Sequence, residues 1–167
     1  SALPDLNQVQ TIRIRDEWNG LSPIAPLGAT YDLERAGDHF AGTANFTVGG
    51  RGGNSLQATE AVELPPEAVQ TFLQTLASAP LTEGAYQPNI THTDDYPAIY
   101  IELELGTGTM TFFTQSQGEA HVPWGAEFNG KTYVINSDAP AKALAALEPY
   151  LKRDVLDQLK EQALSQN

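Results

Sequence analysis

Apolar and polar residues alternate most strictly between residues 98 and 105. One face of this segment carries Ile99, Ile101, Leu103 and Leu105, and the other carries Tyr100, Glu102 and Glu104. A period of two is typical of a strand that is buried on one face and exposed on the other. The pattern therefore predicts a half-buried β-strand in the second half of the chain.

Other segments with strand character are residues 9–15, 29–35, 39–48, 56–64, 109–114 and 128–136. Their apolar residues lie on one side only, which is typical of antiparallel sheets with one solvated face. Residues 36–38 are short and contain Gly37, so they predict a hairpin turn between two of these strands. The Gly- and Pro-rich stretch 16–28 and residues 115–124 are expected to be loops.

Apolar residues spaced by three and four predict two helices. The first begins near Pro66 and carries Val69, Phe72, Leu73 and Leu76 on one stripe. The second begins near Pro140 and carries Leu144, Leu147, Leu151, Val155, Leu159 and Ala163. Pro149 lies inside this second stripe and is expected to kink or split the helix, because proline cannot donate the backbone hydrogen bond.

These elements predict a single α+β domain over residues 1–167, with a largely antiparallel twisted sheet and both helices on one face. The order of elements also suggests two pseudo-repeated β-β-β-α units, at 29–79 and 98–151, followed by a helical extension at 152–167. The strand at 9–15 would pair at an edge or at the seam between the units.

Outward Arg13 and Arg15 on the first strand are natural cross-strand partners for Glu102 and Glu104.

Composition limits the function classes. The 167 residues contain 21 acidic and 9 basic residues, for a net charge of −12, and no cysteine. The negative charge makes nucleic-acid binding unfavourable, and the absence of cysteine excludes disulfides and thiolate chemistry. No apolar run approaches the roughly 20 residues of a membrane helix, so membrane insertion is not expected. Few lysines and many Thr, Gln and Asn residues favour an extracytoplasmic protein, periplasmic or secreted. Ser1 is then expected to be the first residue either of a mature form or of a trimmed chain.

The segment 92–96 concentrates chemical side chains just before the central strand. His92, Asp94 and Asp95 are residue types that could bind a divalent cation, and Tyr96 adds an aromatic group. No other cofactor is predicted. The alternative interpretation is a turn in which an aspartate bonds to its own backbone.

His121 and Trp124 lie in the second irregular stretch. If 98–105 and 109–114 form a hairpin, the loops before and after it leave from the same end, which would bring His92, Asp94, Asp95, Tyr96, His121 and Trp124 to one rim. Such a rim is suited to a small molecule. The alternative is that Trp124 and Tyr96 only cover the end of the sheet.

The C-terminal segment offers a different surface. If the helix continues past Pro149, Val155, Leu156 and Leu159 would be exposed and could bind a partner or form a homodimer. If Pro149 turns the chain back, the same residues would pack on the core.

Three functions remain open at this stage. The first is a non-enzymatic binding or accessory domain that contacts a protein or a small molecule. The second is a metal-assisted or acid–base hydrolase with its active rim at 92–96 and 115–124. The third is an oligomer-forming structural protein.

Overall fold

A computed structural model of the chain describes residues 3–50, 53–91 and 93–166. The described residues form the strands β1 (Thr11–Asn19), β2 (Leu27–Ala36), β3 (His39–Val48), β4 (Leu56–Leu64), β5 (Thr82–Glu83), β6 (Tyr96–Leu105), β7 (Gly108–Thr114), β8 (Trp124–Phe128) and β9 (Lys131–Ile135). The helices are α1 (Pro66–Ala77), α2 (Ala139–Leu147) and α3 (Arg153–Ser165). The predicted α+β class is confirmed.

All nine strands belong to one open antiparallel sheet with the order β4-β3-β2-β1-β6-β7-β8-β9-β5. Strand β1 lies at the seam, paired with β2 on one side and β6 on the other. Arg13 is opposite Glu102, and its Nη1 lies 2.9 Å from a carboxylate oxygen of Glu104. This confirms the cross-strand pairing for Arg13. Arg15 differs, because the register places it opposite Tyr100.

The helices cover one face of the sheet, as the apolar pattern predicts. Helix α1 packs beside α2, and α3 contacts β3 and β4. The side chains that the strands direct toward the helices are almost all apolar, and they join the helix stripes in one continuous core. The opposite face carries no helix, and we call it the bare face.

Pro149 divides the C-terminal stripe into two helices. Helix α2 ends at Leu147, a 3₁₀ turn spans Glu148–Tyr150, and Lys152 takes a left-handed conformation with φ of 57° before α3 begins. The chain thereby folds back onto the sheet. The Tyr31 hydroxyl donates to the Leu151 carbonyl at 2.8 Å, and Arg153 lies 2.8 Å from Asp16.

The predicted segments differ from the structure at three places. Strand β1 continues to Asn19, so residues 16–19 are strand and not loop. Strand β8 was not predicted, because Trp124 was assigned to the irregular stretch 115–124 and residues 125–127 to no element. The strand expected at 128–136 corresponds to β9, which begins after the turn at 129–130. In the structure each half is a four-stranded meander followed by a helix, β1–β4 with α1 and β6–β9 with α2. The proposed sequence repeat stays a prediction.

The two ends of the sheet have different connections. Short hairpins at 37–38, 106–107 and 129–130 close one end. Asn129 and Gly130 have φ of 50° and 79°, the geometry of a type I′ turn. At the other end, β1, β3 and β7 lead into longer connections to the strands that follow them, and the chain enters β6; we call this the loop end. Within the described residues, no helix is long and apolar enough to cross a membrane.

Candidate functional site

The loops on either side of the β6–β7 hairpin converge at the loop end, as the sequence indicates. The Gln117 backbone N–H donates to the Asn89 carbonyl at 2.7 Å, and the Gln117 side-chain oxygen accepts from the Thr91 N–H at 2.9 Å. The Gln117 amide also donates to the Asp95 carbonyl. One glutamine therefore ties the two loops together.

The predicted residues of the 92–96 segment are placed as follows. His92 lies outside the described residues. Asp94 is exposed, and the carboxylate of Asp95 accepts a hydrogen bond from the Trp18 indole at 2.5 Å. Tyr96 is half-buried at the start of β6, opposite Asn19. Asp95 is thus used to hold the end of β1 against this loop.

His121 and Trp124 both serve the loop in which they lie. The His121 Nδ1 is 3.1 Å from the Ser116 carbonyl oxygen. Trp124 is fully buried in the core, and its indole N–H donates to the Ala120 carbonyl at 2.8 Å. Trp124 therefore offers no surface to a ligand, because as the first residue of β8 it points toward the helices.

Hydroxyl groups in the interior of this loop bond its backbone. Ser116 is fully buried; its Oγ accepts from the Asn89 N–H at 3.0 Å and donates to the Pro123 carbonyl at 2.9 Å. The Tyr86 hydroxyl lies 3.1 Å from the same oxygen. The Ser116 hydroxyl is therefore a structural group with its hydrogen-bonding capacity used, and not a free nucleophile.

Metal-binding capacity at the rim is limited in the part of the chain that is described. No group of three or more His, Asp or Glu side chains there could hold a metal ion. The hypothesis of a divalent cation at His92, Asp94 and Asp95 stays a prediction, since His92 is outside the described residues.

The predicted partner-binding residues of the C-terminal segment face the core. Leu156 and Leu159 are buried, and Val155 is half-buried against the same cluster. Of the two alternatives for this segment, the structure has the one in which Pro149 turns the chain back. A dimer through these side chains would require α3 to leave the sheet.

A depression on the bare face, close to the loop end, was not identified from the sequence. It has a volume of about 300 Å³. Its lining includes Glu17, Asn19, Thr30, Asn45, Thr47 and the backbone at Gly28. A Cβ atom at Gly28 would lie 2.5 Å from the Asp16 carbonyl oxygen. The absence of a side chain there lets β1 and β2 approach closely and leaves a low point on the face.

A second depression of about 190 Å³ adjoins the first at Thr30, which lines both. It is bordered by Arg13, Arg15, Tyr100 and Glu102. The Arg15 guanidinium lies over the Tyr100 ring at 4.2 Å from the centroid. The two depressions lie side by side across β3, β2, β1 and β6, and we call the pair the sheet groove.

Three aromatic side chains in mutual contact extend from the Tyr100 side of the sheet groove. Tyr100 stacks on Phe113 with ring centroids 6.3 Å apart, and Phe113 meets Tyr86 edge-on at 5.1 Å. All three rings are half-buried. Aromatic side chains held by one another in this way keep a fixed, partly apolar surface beside the polar lining.

The charged groups of the sheet groove are paired with each other. Arg15 Nε is 3.4 Å from Glu17, and Arg13 contacts Asp32, Glu102 and Glu104 at 3.6, 3.8 and 2.9 Å. Desolvation lowers the pKa of the Arg13 guanidinium, but the hydrogen bond and the charge of Glu104, with the charges of Asp32 and Glu102, outweigh it, so the pKa is raised. Arg13 therefore stays charged at all ordinary pH values.

Uncharged hydrogen-bonding groups complete the lining. The Asn45 side-chain oxygen accepts from the Thr59 hydroxyl at 2.7 Å. This contact fixes the amide and leaves its two N–H donors available. Hydroxyl groups of Thr30 and Thr47 and the amide of Asn19 add further donors and acceptors.

Comparison with known proteins identifies no relative: no family model, no curated protein and no solved structure matches this chain.

Gly28 is the one feature of the sequence that could have indicated the groove. An isolated glycine in a strand indicates a close backbone approach, but the strand was expected to begin at Ala29, which left Gly28 in a loop. The other lining residues come from the consecutive strands β1, β2 and β3 and from β6 much later in the chain, and the strand register decides which of their side chains are neighbours.

Proposed function

We propose that this protein is a non-enzymatic binding domain that holds an uncharged, hydroxyl-rich ligand, of the kind a short neutral glycan presents, in the sheet groove. The observation that carries the proposal is the groove itself: a recess on the bare face, lined by amides, hydroxyls and paired charges, with an aromatic ring at its side.

The preference for an uncharged ligand follows from the ion pairs. Because Arg15 is paired with Glu17 and Arg13 with three carboxylates, an anion or a cation would have to compete with a partner already in place. Hydroxyl groups need no such exchange. They both donate and accept, which fits the amides of Asn19 and Asn45 and the hydroxyls of Thr30 and Thr47.

The hydrolase alternative has less support from the described residues. The His121 ring contacts a backbone carbonyl, and the Ser116 hydroxyl is engaged in the loop. A general acid or base must be able to reach the proton it transfers, and the carboxylate of Asp95 at the predicted rim is held by the Trp18 indole. The extracytoplasmic location stays a prediction from composition.

Calorimetric titration with three neutral hexasaccharides, cellohexaose, chitohexaose and maltohexaose, tests the proposal. We expect at least one of them to bind with a Kd of about 1 mM or lower, which corresponds to about −4 kcal/mol or better. Thr30 is exposed and lines both depressions, so the larger side chain of Thr30→Trp would obstruct them and should abolish binding.

Thr132→Trp is the matched control, because Thr132 is an exposed residue of the bare face on the distant strand β9. It should leave binding unchanged. Absence of binding to all three glycans, or equal loss in both variants, would contradict the proposal.

A further inference from the structure

Strand β4 forms a long edge of the sheet. It has nine residues, pairs with β3 on one side, and has no second neighbour among the described strands. The other edge differs, because β5 has only two residues. A regular edge strand presents a row of backbone N–H and C=O groups that can pair with another extended chain.

A depression lies against this edge. It has a volume of about 500 Å³, and its strand residues are Ala61, Val62 and Glu63 of β4 together with Ala41 and Gly42 of β3. Pro149, Tyr150 and Lys152, from the turn between α2 and α3, line the same depression. A neighbouring depression of about 330 Å³ shares Glu63 and Tyr150 and extends to Pro65 and Pro66. The end of β4 therefore has a recess beside it that is large enough for a side chain of a docked segment.

The acidic side chains of β4 favour a basic partner segment over a second copy of this chain. Glu60 is half-buried on the helix side of the strand, and its carboxylate has no hydrogen bond or ion pair to any described residue. Glu63 is exposed on the other side, with the His39 Nε2 at 3.3 Å from its carboxylate. If two copies paired through β4 with full overlap, Glu60 would face Glu60 of the second copy. Like charges directly opposite each other destabilise a strand pair, so self-pairing is disfavoured, whereas lysine or arginine would be attracted.

We propose that the free edge of β4 docks an extended segment of a basic partner protein, which adds to the sheet as a further strand with Lys or Arg beside Glu60 and Glu63 and an apolar side chain in the depression under Tyr150. Backbone hydrogen bonds supply the affinity in this mode of recognition, and alternate side chains supply the specificity. The net charge of −12 attracts such a segment over a distance. This site is separate from the sheet groove, so the docking proposal can be confirmed or refuted independently of glycan binding.

Amide hydrogen exchange of the whole protein with a nine-residue alternating Lys-Val peptide tests the inference. The peptide should slow exchange in β4 by about tenfold, because pairing closes the edge. A Glu-Val peptide of equal length should have no effect. A Lys-Val peptide that is N-methylated along one edge should also have none, because it cannot donate the backbone hydrogen bonds.

Charge reversal separates the edge from the general acidity of the protein. Glu60→Lys with Glu63→Lys should transfer the protection from the Lys-Val to the Glu-Val peptide. Glu83→Lys with Glu127→Lys changes the net charge equally at positions away from β4 and should keep the original preference. The inference is overturned if the N-methylated peptide protects β4 equally, if both double variants behave alike, if neither peptide protects β4, or if the protein alone dimerises through this edge.

Discussion

The two faces of the sheet are made from the same strands, yet they differ in almost every physical property. On the covered face, neighbouring strands contribute Ile14, Tyr31 and Ile101, all of them buried. One residue away on the same strands, Arg15, Thr30 and Tyr100 form part of the sheet groove. Strand alternation thus separates the residues that stabilise the fold from residues that are free to contact a ligand.

This separation predicts how substitutions should behave. Changes on the covered face should lower the free energy of unfolding and leave the bare face intact. Changes on the bare face should have small effects on stability, and those within the sheet groove should have large effects on binding.

Adjacent phenylalanines on β7 give the largest expected contrast. Phe112 is 1% exposed on the covered face, whereas Phe113 is half-buried on the bare face between Tyr86 and Tyr100. Phe112→Ala should lower the free energy of unfolding by about 3–5 kcal/mol. Phe113→Ala should cost about 1–2 kcal/mol, mainly from lost aromatic pairs. Denaturant unfolding of both variants measures the difference, and equal costs would contradict the separation of the faces.

Tyr31 should make stability depend on alkaline pH. Burial raises the pKa of its hydroxyl from 10.0 to about 12. Between about pH 10 and pH 12 the unfolded chain loses this proton while the folded protein keeps it, so the free energy of unfolding should fall with rising pH, by about 2–3 kcal/mol in total.

The variant Tyr31→Phe isolates this contribution. It should start from a lower stability, because the Leu151 carbonyl loses its partner, but its stability should fall less between pH 10 and 12 than that of the native protein. Tyr100→Phe, on the bare face, should keep the native fall. Parallel pH profiles for Tyr31→Phe and the native protein would show that Tyr31 is not responsible.

Two threonines on β7 extend the comparison to hydroxyl groups. Thr114 is fully buried; its Oγ1 lies 2.7 Å from the His121 carbonyl and accepts from the Ser116 N–H at 3.0 Å. Thr114→Val should cost about 1–3 kcal/mol, because buried partners lose their hydrogen bonds. Thr111→Val, on the bare face, should change stability by no more than about 0.5 kcal/mol. Thermal unfolding at one pH distinguishes these outcomes.

Arg13 should give the smallest effect, although it contacts three carboxylates. Its side chain is 40% exposed and its partners are exposed to similar degrees. Ion pairs of this kind contribute about 0–1 kcal/mol and weaken with salt. Arg13→Ala should therefore lower stability by about 0.5 kcal/mol at low salt and by less at 1 M salt. A loss as large as that of Thr114→Val would mean that the bare face is structurally essential.

The sequence predicts the covered face well, because local alternation and helical spacing both record burial. It identifies β6, the stripe of α1 and the division at Pro149 from residue type alone. Trp124 shows the limit: its aromatic character suited either a rim or a core, and only the short strand β8 directs it inward.

The bare face was harder to predict, because its groove depends on which strands become neighbours. Gly28, Thr47 and Glu17 are brought together by the pairing of β1 with β2 and of β2 with β3. The C-terminal stripe was ambiguous for a related reason. An apolar stripe with Leu156 and Leu159 looks the same in sequence whether it packs on its own sheet or on a partner.

Mapping a bound glycan by backbone amide chemical shifts tests the central claim most directly. The protein would be titrated with whichever of the three hexasaccharides binds. The account predicts saturable shifts at Gly28, Thr30, Asn45 and Thr47, with little change at Gln117 and His121. Shifts confined to the loops at 93–96 and 115–123, with the sheet groove unaffected, would contradict it and return the binding site to the rim.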